Sequence, residues 1–301
     1  PSGYQSNGTA LVCLHSDGTH GLWDPGLRRP LGRLPVPLYP TEVHRSILSP
    51  DGDTLALCAS NQITLWSLAR QARRASFPVE TAPEDLCFSP SGNWLAAGVG
   101  GFRRYLAHAW DVRSGLETFR SKELVTSMAF SPDGRWLATS PAAGGVILWD
   151  IAARRYRPVP GLRETYQYLG FSPHSGILVA LGGHGGTSRG IWLADLRSGR
   201  ISGPLTVPGT LAHSTFTPDG RTLISLDGDN GITFWNVATL QELMTIARPA
   251  TLNFLMMSPD GNVLALKAPA DRHTLGEVET WAPPGLESID SSLSGLSNPH
   301  E

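Results

Sequence analysis

The sequence predicts an all-β fold in which one four-stranded antiparallel unit is written seven times. Two landmarks carry that expectation. The first is a turn phrase, Ser49-Pro50-Asp51-Gly52. It recurs as Ser89-Pro90-Ser91-Gly92, Ser131-Pro132-Asp133-Gly134, Ser172-Pro173-His174-Ser175-Gly176, Thr217-Pro218-Asp219-Gly220 and Ser258-Pro259-Asp260-Gly261. A worn copy, Ser6-Asn7-Gly8, opens the chain. Successive Ser/Thr-Pro copies start 40, 42, 41, 45 and 41 residues apart. The second landmark is a Trp closing an apolar run: Trp23, Trp66, Trp110, Trp149, Trp192, Trp235 and Trp281, several with Asp or Asn behind. Two landmarks sharing a period of about 40–45 residues mark a repeat whose units are single small sheets.

The second unit shows why each element forms. "VHRSIL" is short and apolar enough for a first strand. Pro50-Asp51-Gly52 then turns the chain, with Pro fixing φ, Asp bonding nearby backbone and Gly accepting positive φ. "TLALCAS" is nearly continuous in apolar residues, as a strand buried on both faces must be. Asn61 turns the chain again, "QITLWSL" is β-branched and aromatic, and "RRASFPV" is a more polar outer strand. Such a sheet buries both faces only between two neighbours in a ring. The expected architecture is therefore a seven-bladed β-propeller. Its blades are expected at about 1–36, 37–78, 79–120, 121–158, 159–206, 207–247 and 248–290, with the 291–301 tail closing the ring.

Composition narrows the function classes. A net charge of −2 offers no electrostatic case for nucleic acid, and no apolar run is long enough to span a membrane. Three irregularly spaced cysteines make neither a disulfide framework nor a zinc site; as free thiols they lean towards a reducing, cytoplasmic setting. The chain opens at Pro1 without Met or a signal pattern, so it is expected to be a processed or excised piece.

With its Ser-Pro-Asp-Gly turns and Trp-Asp strand ends, the chain resembles the WD-repeat β-propellers. That family commonly places Gly-His before the first strand of a blade, and the His joins an Asp, a Ser or Thr and the Trp in a hydrogen-bonded tetrad. The corresponding segments here, among them "YPTEVHRS", "SKELVTSM" and "VPGTLAHS", lack Gly-His. The resemblance therefore implies no tetrad, leaving blade stability to apolar packing. The "FSPDGRWLA" style is similar to bacterial members, which are often joined to a kinase, protease or NTPase.

The repeat is also a ruler. From turn Ser/Thr to Trp the distances are 17, 17, 21, 18, 20, 18 and 23 residues. The excess in units 3, 5 and 7 falls mainly between second and third strands, with one residue of unit 5 assigned to its turn. The three enlarged segments read "VGGFRRYLA" (99–107), "GGHGGTSRG" (182–190) and "APADRHTLGE" (268–277). In a propeller they rise from one face, opposite the Pro-Asp-Gly turns, and loops on a rigid scaffold carry binding. Phe102, Arg103, Arg104 and Tyr105 are the expected aromatic and cationic anchors, with His184, Arg189, Asp271, Arg272 and His273 around them.

Other features have plainer readings. The repeated Trp residues, with Trp94 and Trp136, are expected in the core, and the turn Asp residues as structural caps. The Arg clusters at 28–29, 73–74 and 154–157 are expected in solvated ion pairs on the turn face. "GGHGGTSRG" lacks the ending of a phosphate loop. A metal shared by His184 and His273 has no supporting spacing, and no metal or cofactor is expected. A propeller enzyme of hydrolase or lactonase type would need converging acids and bases at the channel mouth. The first strands offer His44, Asp85, Tyr166, Gln167, His213 and Asn253, read as lying at different depths. The favoured reading is a non-catalytic docking or scaffold module for a protein or peptide, within or outside its own chain. The alternatives are that enzyme or a small-ligand sensor.

Overall fold

A computed structural model describes residues 3–4, 11–14, 20–24, 29–33, 43–59, 61–101, 104–174, 176–182, 190–206, 211–227, 231–247, 254–258, 261, 264–267 and 278–281. These residues form antiparallel meanders in chain order. The first comprises β1 (Gly3–Tyr4), β2 (Leu11–Leu14), β3 (His20–Asp24) and β4 (Arg29–Arg33). The second comprises β5 (Val43–Leu48), β6 (Thr54–Ala59), β7 (Gln62–Ser67) and β8 (Ala72–Pro78). Next come β9 (Asp85–Phe88), β10 (Trp94–Gly101), β11 (Arg104–Asp111) and β12 (Glu117–Arg120). The fourth meander is β13 (Val125–Phe130), β14 (Trp136–Pro141), β15 (Ile147–Asp150) and β16 (Arg155–Pro158). The fifth is β17 (Tyr166–Phe171), β18 (Ile177–Gly182), β19 (Gly190–Asp195) and β20 (Ile201–Thr206). The sixth is β21 (Leu211–Phe216), β22 (Thr222–Asp227), β23 (Gly231–Asn236) and β24 (Glu242–Ala247). The last group is β25 (Phe254–Met257), β26 (Leu264–Lys267) and β27 (Val278–Trp281).

Neighbouring meanders pack first strand to first strand: β1 on β5, then β9, β13, β17, β21 and β25 in turn. Most of the buried clusters are shared by consecutive meanders. Phe77 and Ile63 meet Leu95 and Trp110; Ala138 and Leu148 meet Leu178 and Trp192; Ile224 and Phe234 meet Leu255 and Leu264. This is why the second strands read as continuous apolar runs: each is buried on both sides. In register, a Leu stands opposite the strand-ending Trp: Leu11, Leu55, Leu95, Leu137, Leu223 and Leu264. From Leu55 onward these leucines have 0% exposure.

The turn phrase works through its side chains. Ser49 Oγ donates to Asp51 Oδ1 and accepts from Thr54 N, while Asp51 Oδ1 also accepts from Asp53 N. Gly52, at φ 73°, returns its N–H to Ser49 O. Ser131–Trp136 and Thr217–Thr222 repeat the pattern. The turn Asp residues are thus structural caps, as expected. Burial raises the Asp51 carboxyl, but the Ser49 hydroxyl and neighbouring N–H groups outweigh it and leave it below its ordinary value. The Asp or Asn behind the Trp caps the next turn in the same way: Asp111 accepts from Arg113 N and Ser114 N, and Asn236 from Ala238 N and Thr239 N.

Register corrects several expectations. Ile177 N donates to Ser172 Oγ five residues back, as Thr54 N does to Ser49 Oγ, so the Ser172 turn holds no extra residue. Asp195 pairs with Ile177 as Asp150 pairs with Trp136, which puts Ala194, opposite Leu178, at the usual Trp position. Trp192 lies two residues early, and all of that unit's excess falls between β18 and β19. Within the 99–107 segment, residues 99–101 and 104–107 are strand rather than loop. They prolong β10 and β11, which pair as far as Gly101↔Arg104, and Tyr105 also pairs with Val125, joining the third and fourth meanders into one eight-stranded sheet. Nor is apolar packing alone in holding the Trp residues: Trp149 Nε1 donates to Thr139 Oγ1 and Trp235 Nε1 to Ser225 Oγ, each at 2.9 Å. Trp136, expected in the core, is half-buried under the guanidinium groups of Arg135 and Arg157.

Candidate functional site: a polar layer on the first strands

The turn Ser/Thr gives a common origin for the first strands. Four residues before it stand Arg45, Asp85, Ser127, Tyr168, His213 and Phe254, one from each of six consecutive meanders and five of them polar. Because the strands share one turn geometry, these residues lie at one level. Two residues on, on the same strand faces, stand Ile47, Cys87, Ala129, Gly170, Thr215 and Met256. A layer of varied polar chemistry thus sits on a mostly apolar one. The channel-mouth candidates Asp85 and His213 do not lie at different depths, as the sequence reading had it; they share this layer.

The layer converges. The Tyr168 and His213 rings lie 4.8 Å apart between centroids. Ser127 Oγ accepts from Leu169 N, and Thr126 Oγ1 donates to Tyr166 O, stitching β13 to β17. Asp85 feels the field of Arg45 and in turn acts on Tyr168. Burial raises the Asp85 carboxyl above its ordinary value, although Arg45 and hydrogen bonds from Tyr105 and Leu86 N oppose it. Burial carries the Tyr168 phenol up to about 12 and the His213 imidazole down to about 4. At neutral pH the layer therefore offers a neutral imidazole and a neutral phenol beside a carboxyl and a guanidinium.

Asp85 is held from behind. Tyr105 Oη donates to Asp85 Oδ2 at 3.1 Å. To reach it the ring crosses β10 over Gly98, which pairs with both Ala107 and Asp85. A Cβ at Gly98 would fall inside contact distance of the Tyr105 ring carbons, so a side chain there collides with the ring. Tyr105 is 4% exposed and packs with Val125 and Leu137. It is a support for the layer rather than the protruding anchor expected.

Arg104 is exposed at the hairpin end. Phe102, Arg103, His184, Arg189, Asp271, Arg272 and His273 lie outside the described residues. Of the other first-strand candidates, Tyr166 is fully buried edge-on against Trp192 and Gln167 is exposed. The His44 side chain and Asn253 lie outside the described set. Among the described residues no three His, Cys, Asp or Glu side chains are grouped to hold a metal. Cys58 and Cys87 are free thiols, and burial pushes the Cys58 thiol up to about 12.

Sequence reasoning also missed His108. It is buried beside Trp110, with ring centroids 5.6 Å apart, and its Nδ1 lies 2.9 Å from Glu117 Oε1. Only the β11–β12 pairing discloses that neighbour.

A family model described as "WD domain, G-beta repeat" matches residues 115–150. The match starts just before β12 and ends with β15, so one sequence repeat straddles two meanders. Telomerase protein component 1 of Rattus norvegicus is 27% identical over 214 residues, covering 69% of this chain and 8% of that protein. Transducin beta-like protein 3 of Bos taurus is 26% identical over 210 residues, covering 66% of this chain and 25% of that protein. The chain thus spans a small part of each relative's length.

Proposed function

The chain belongs to the WD-repeat family, and from that premise we propose that it is a non-catalytic interaction module closed as a seven-bladed propeller. WD repeats generally serve protein–protein interaction. The partner is a protein or peptide, or another domain of the same polypeptide, and the setting is cytoplasmic. The docking face is the one where the second and third strands of each blade connect. One observation carries this reading: a single position of the repeat holds Arg45, Asp85, Ser127, Tyr168, His213 and Phe254, whereas the turn at the other end of the same strand hardly changes. A scaffold needs no such variation, and a partner engaging an asymmetric surface does.

In this reading Arg104 stands on the rim with Phe102 and Arg103 of the same hairpin. His184 and Arg189 join from the fifth blade, and Asp271, Arg272 and His273 from the seventh. Tyr105 acts indirectly by fixing Asp85.

The test compares two double variants for capture of a partner identified by affinity purification and mass spectrometry. Arg103→Ala/Arg104→Ala on the hairpin tip should weaken capture by about tenfold or more. Arg73→Ala/Arg74→Ala on the opposite face should leave it unchanged. The reverse result would place docking on the turn face.

A further inference from the structure

We propose that the cleft between the third and fourth meanders is a second docking site, fitted to a short extended peptide whose apolar side chain is flanked by acidic residues. The cleft encloses about 440 Å³, within the range of about 300–1,000 Å³ usual for ligand sites. Its walls are two edge strands, β12 and β16. Its floor is a row of three rings: Phe119 and Trp149 are 5.0 Å apart between centroids, and Trp149 and Tyr156 are 4.8 Å apart. Trp149 cannot swing away, because its Nε1 is engaged by Thr139 Oγ1. Tyr156, directly opposite Trp149 in the β15–β16 register, is 65% exposed. An aromatic held open on an edge strand is a liability unless something covers it.

Charge selects the occupant. Lys122, Arg154 and Arg155 line the cleft, and among the described residues none lies within ion-pair distance of a carboxylate, although Arg155 faces Asp150 in register and its field helps to hold that carboxyl low. Of the acids nearby, Glu123 stands on the rim beside Lys122 with its carboxylate uncommitted among the described residues, and the others are engaged. Asp150 accepts from Arg135 and from Ala153 N, and Glu117 and Glu80 are held by Arg120. The floor hydroxyls are satisfied as well: Thr118 Oγ1 donates to Ala109 O and Ser121 Oγ to Glu123 O. The cleft therefore presents stacked apolar surface on whose rim the cations Lys122, Arg154 and Arg155 outnumber the one uncommitted acid among the described residues, Glu123. Its best complement is an aliphatic or aromatic side chain with Asp or Glu on either side.

The probe is a phage-displayed library of random short peptides, panned against the intact chain. Enriched sequences should share an apolar anchor flanked by acids. The synthetic consensus peptide should shift the Trp149 indole N–H resonance. It should lose about tenfold affinity or more for Tyr156→Ser and for Arg154→Glu/Arg155→Glu. Affinity should persist in Arg103→Ala/Arg104→Ala, which separates this site from the loop face. Thermal melts check folding, and if Tyr156→Ser is unfolded the arginine pair decides. No enrichment, enrichment without acidic flanks, or affinity unchanged in the cleft variants would overturn the proposal.

Discussion

Two positions of the same first strand contrast sharply. At one end the turn Ser or Thr is retained from Ser49 to Ser258, and its hydroxyl caps the backbone five residues on wherever that contact is described. Four residues earlier, the same strands carry Arg45, Asp85, Ser127, Tyr168, His213 and Phe254. Geometry is equal at the two positions; chemistry is constant at one and different at the other. The constant position answers to the fold, since every meander must turn alike to pack between neighbours. The varied position is freed from that demand, and its burial costs are met by local devices such as the Tyr105–Asp85 hydrogen bond.

The contrast breaks most visibly at the constant core. Leu137, fully buried opposite Trp149, should cost about 2–5 kcal/mol when cut to alanine. Urea unfolding measures it; a loss under about 1 kcal/mol would mean that the Leu–Trp pair is not a main packing contact.

The support of the varied layer comes next. Gly98→Ala should displace the Tyr105 ring and cost about 1–3 kcal/mol. In a double-mutant cycle with Tyr105→Ala the two losses should be clearly non-additive. Additive losses would separate Gly98 from the ring.

His213 gives the layer a pH signature. Burial holds its folded pKa at about 4, against 6.5 ordinarily. Between those values the unfolded chain binds the extra proton, so this residue's contribution to stability falls as pH drops from about 6.5 to about 4 and levels off below. The expected change is on the order of 3 kcal/mol, and His213→Asn should remove it. Asp85 has the opposite sign: its carboxyl is raised, so its stabilising share is present at low pH and lost as pH rises through its folded pKa. Urea unfolding across this window in both proteins would expose a slope that persists without His213.

The smallest effect belongs to a single turn. Ser131→Ala removes the bonds to Asp133 and from Trp136 N and should cost about 1 kcal/mol in the same assay. A neutral result would make Pro132 and Gly134, rather than the hydroxyl, the source of the turn's stability.

Much of this contrast was legible in sequence, and the failures share a cause. Strands and turns announce themselves through local chemistry, so "VHRSIL" and "TLALCAS" became β5 and β6 as read. Register does not. Trp192 matches the other Trp residues in type yet sits two positions early, which only the Ile177↔Asp195 pairing discloses. "GGFRRY" has the composition of a loop, but Tyr105 folds inward over Gly98 and prolongs the strands. The leucines opposite the Trp residues were invisible because Leu is common in every apolar run. Asp85 and His213 were picked out singly; counting back from the turn would have aligned them with Arg45 and Tyr168.

The central claim is that the varied layer binds while the constant positions fold. The most direct measurement sets Arg45→Asp/Asp85→Arg, which exchanges two charges within the layer, beside Arg73→Ala/Arg74→Ala. Both variants are scored for melting temperature and for affinity to the captured partner. The account predicts a partner affinity reduced by about tenfold or more in the charge exchange, with melting still cooperative, and unchanged binding in the turn-face pair. Full affinity in the charge exchange, or loss confined to the turn-face pair, would contradict it.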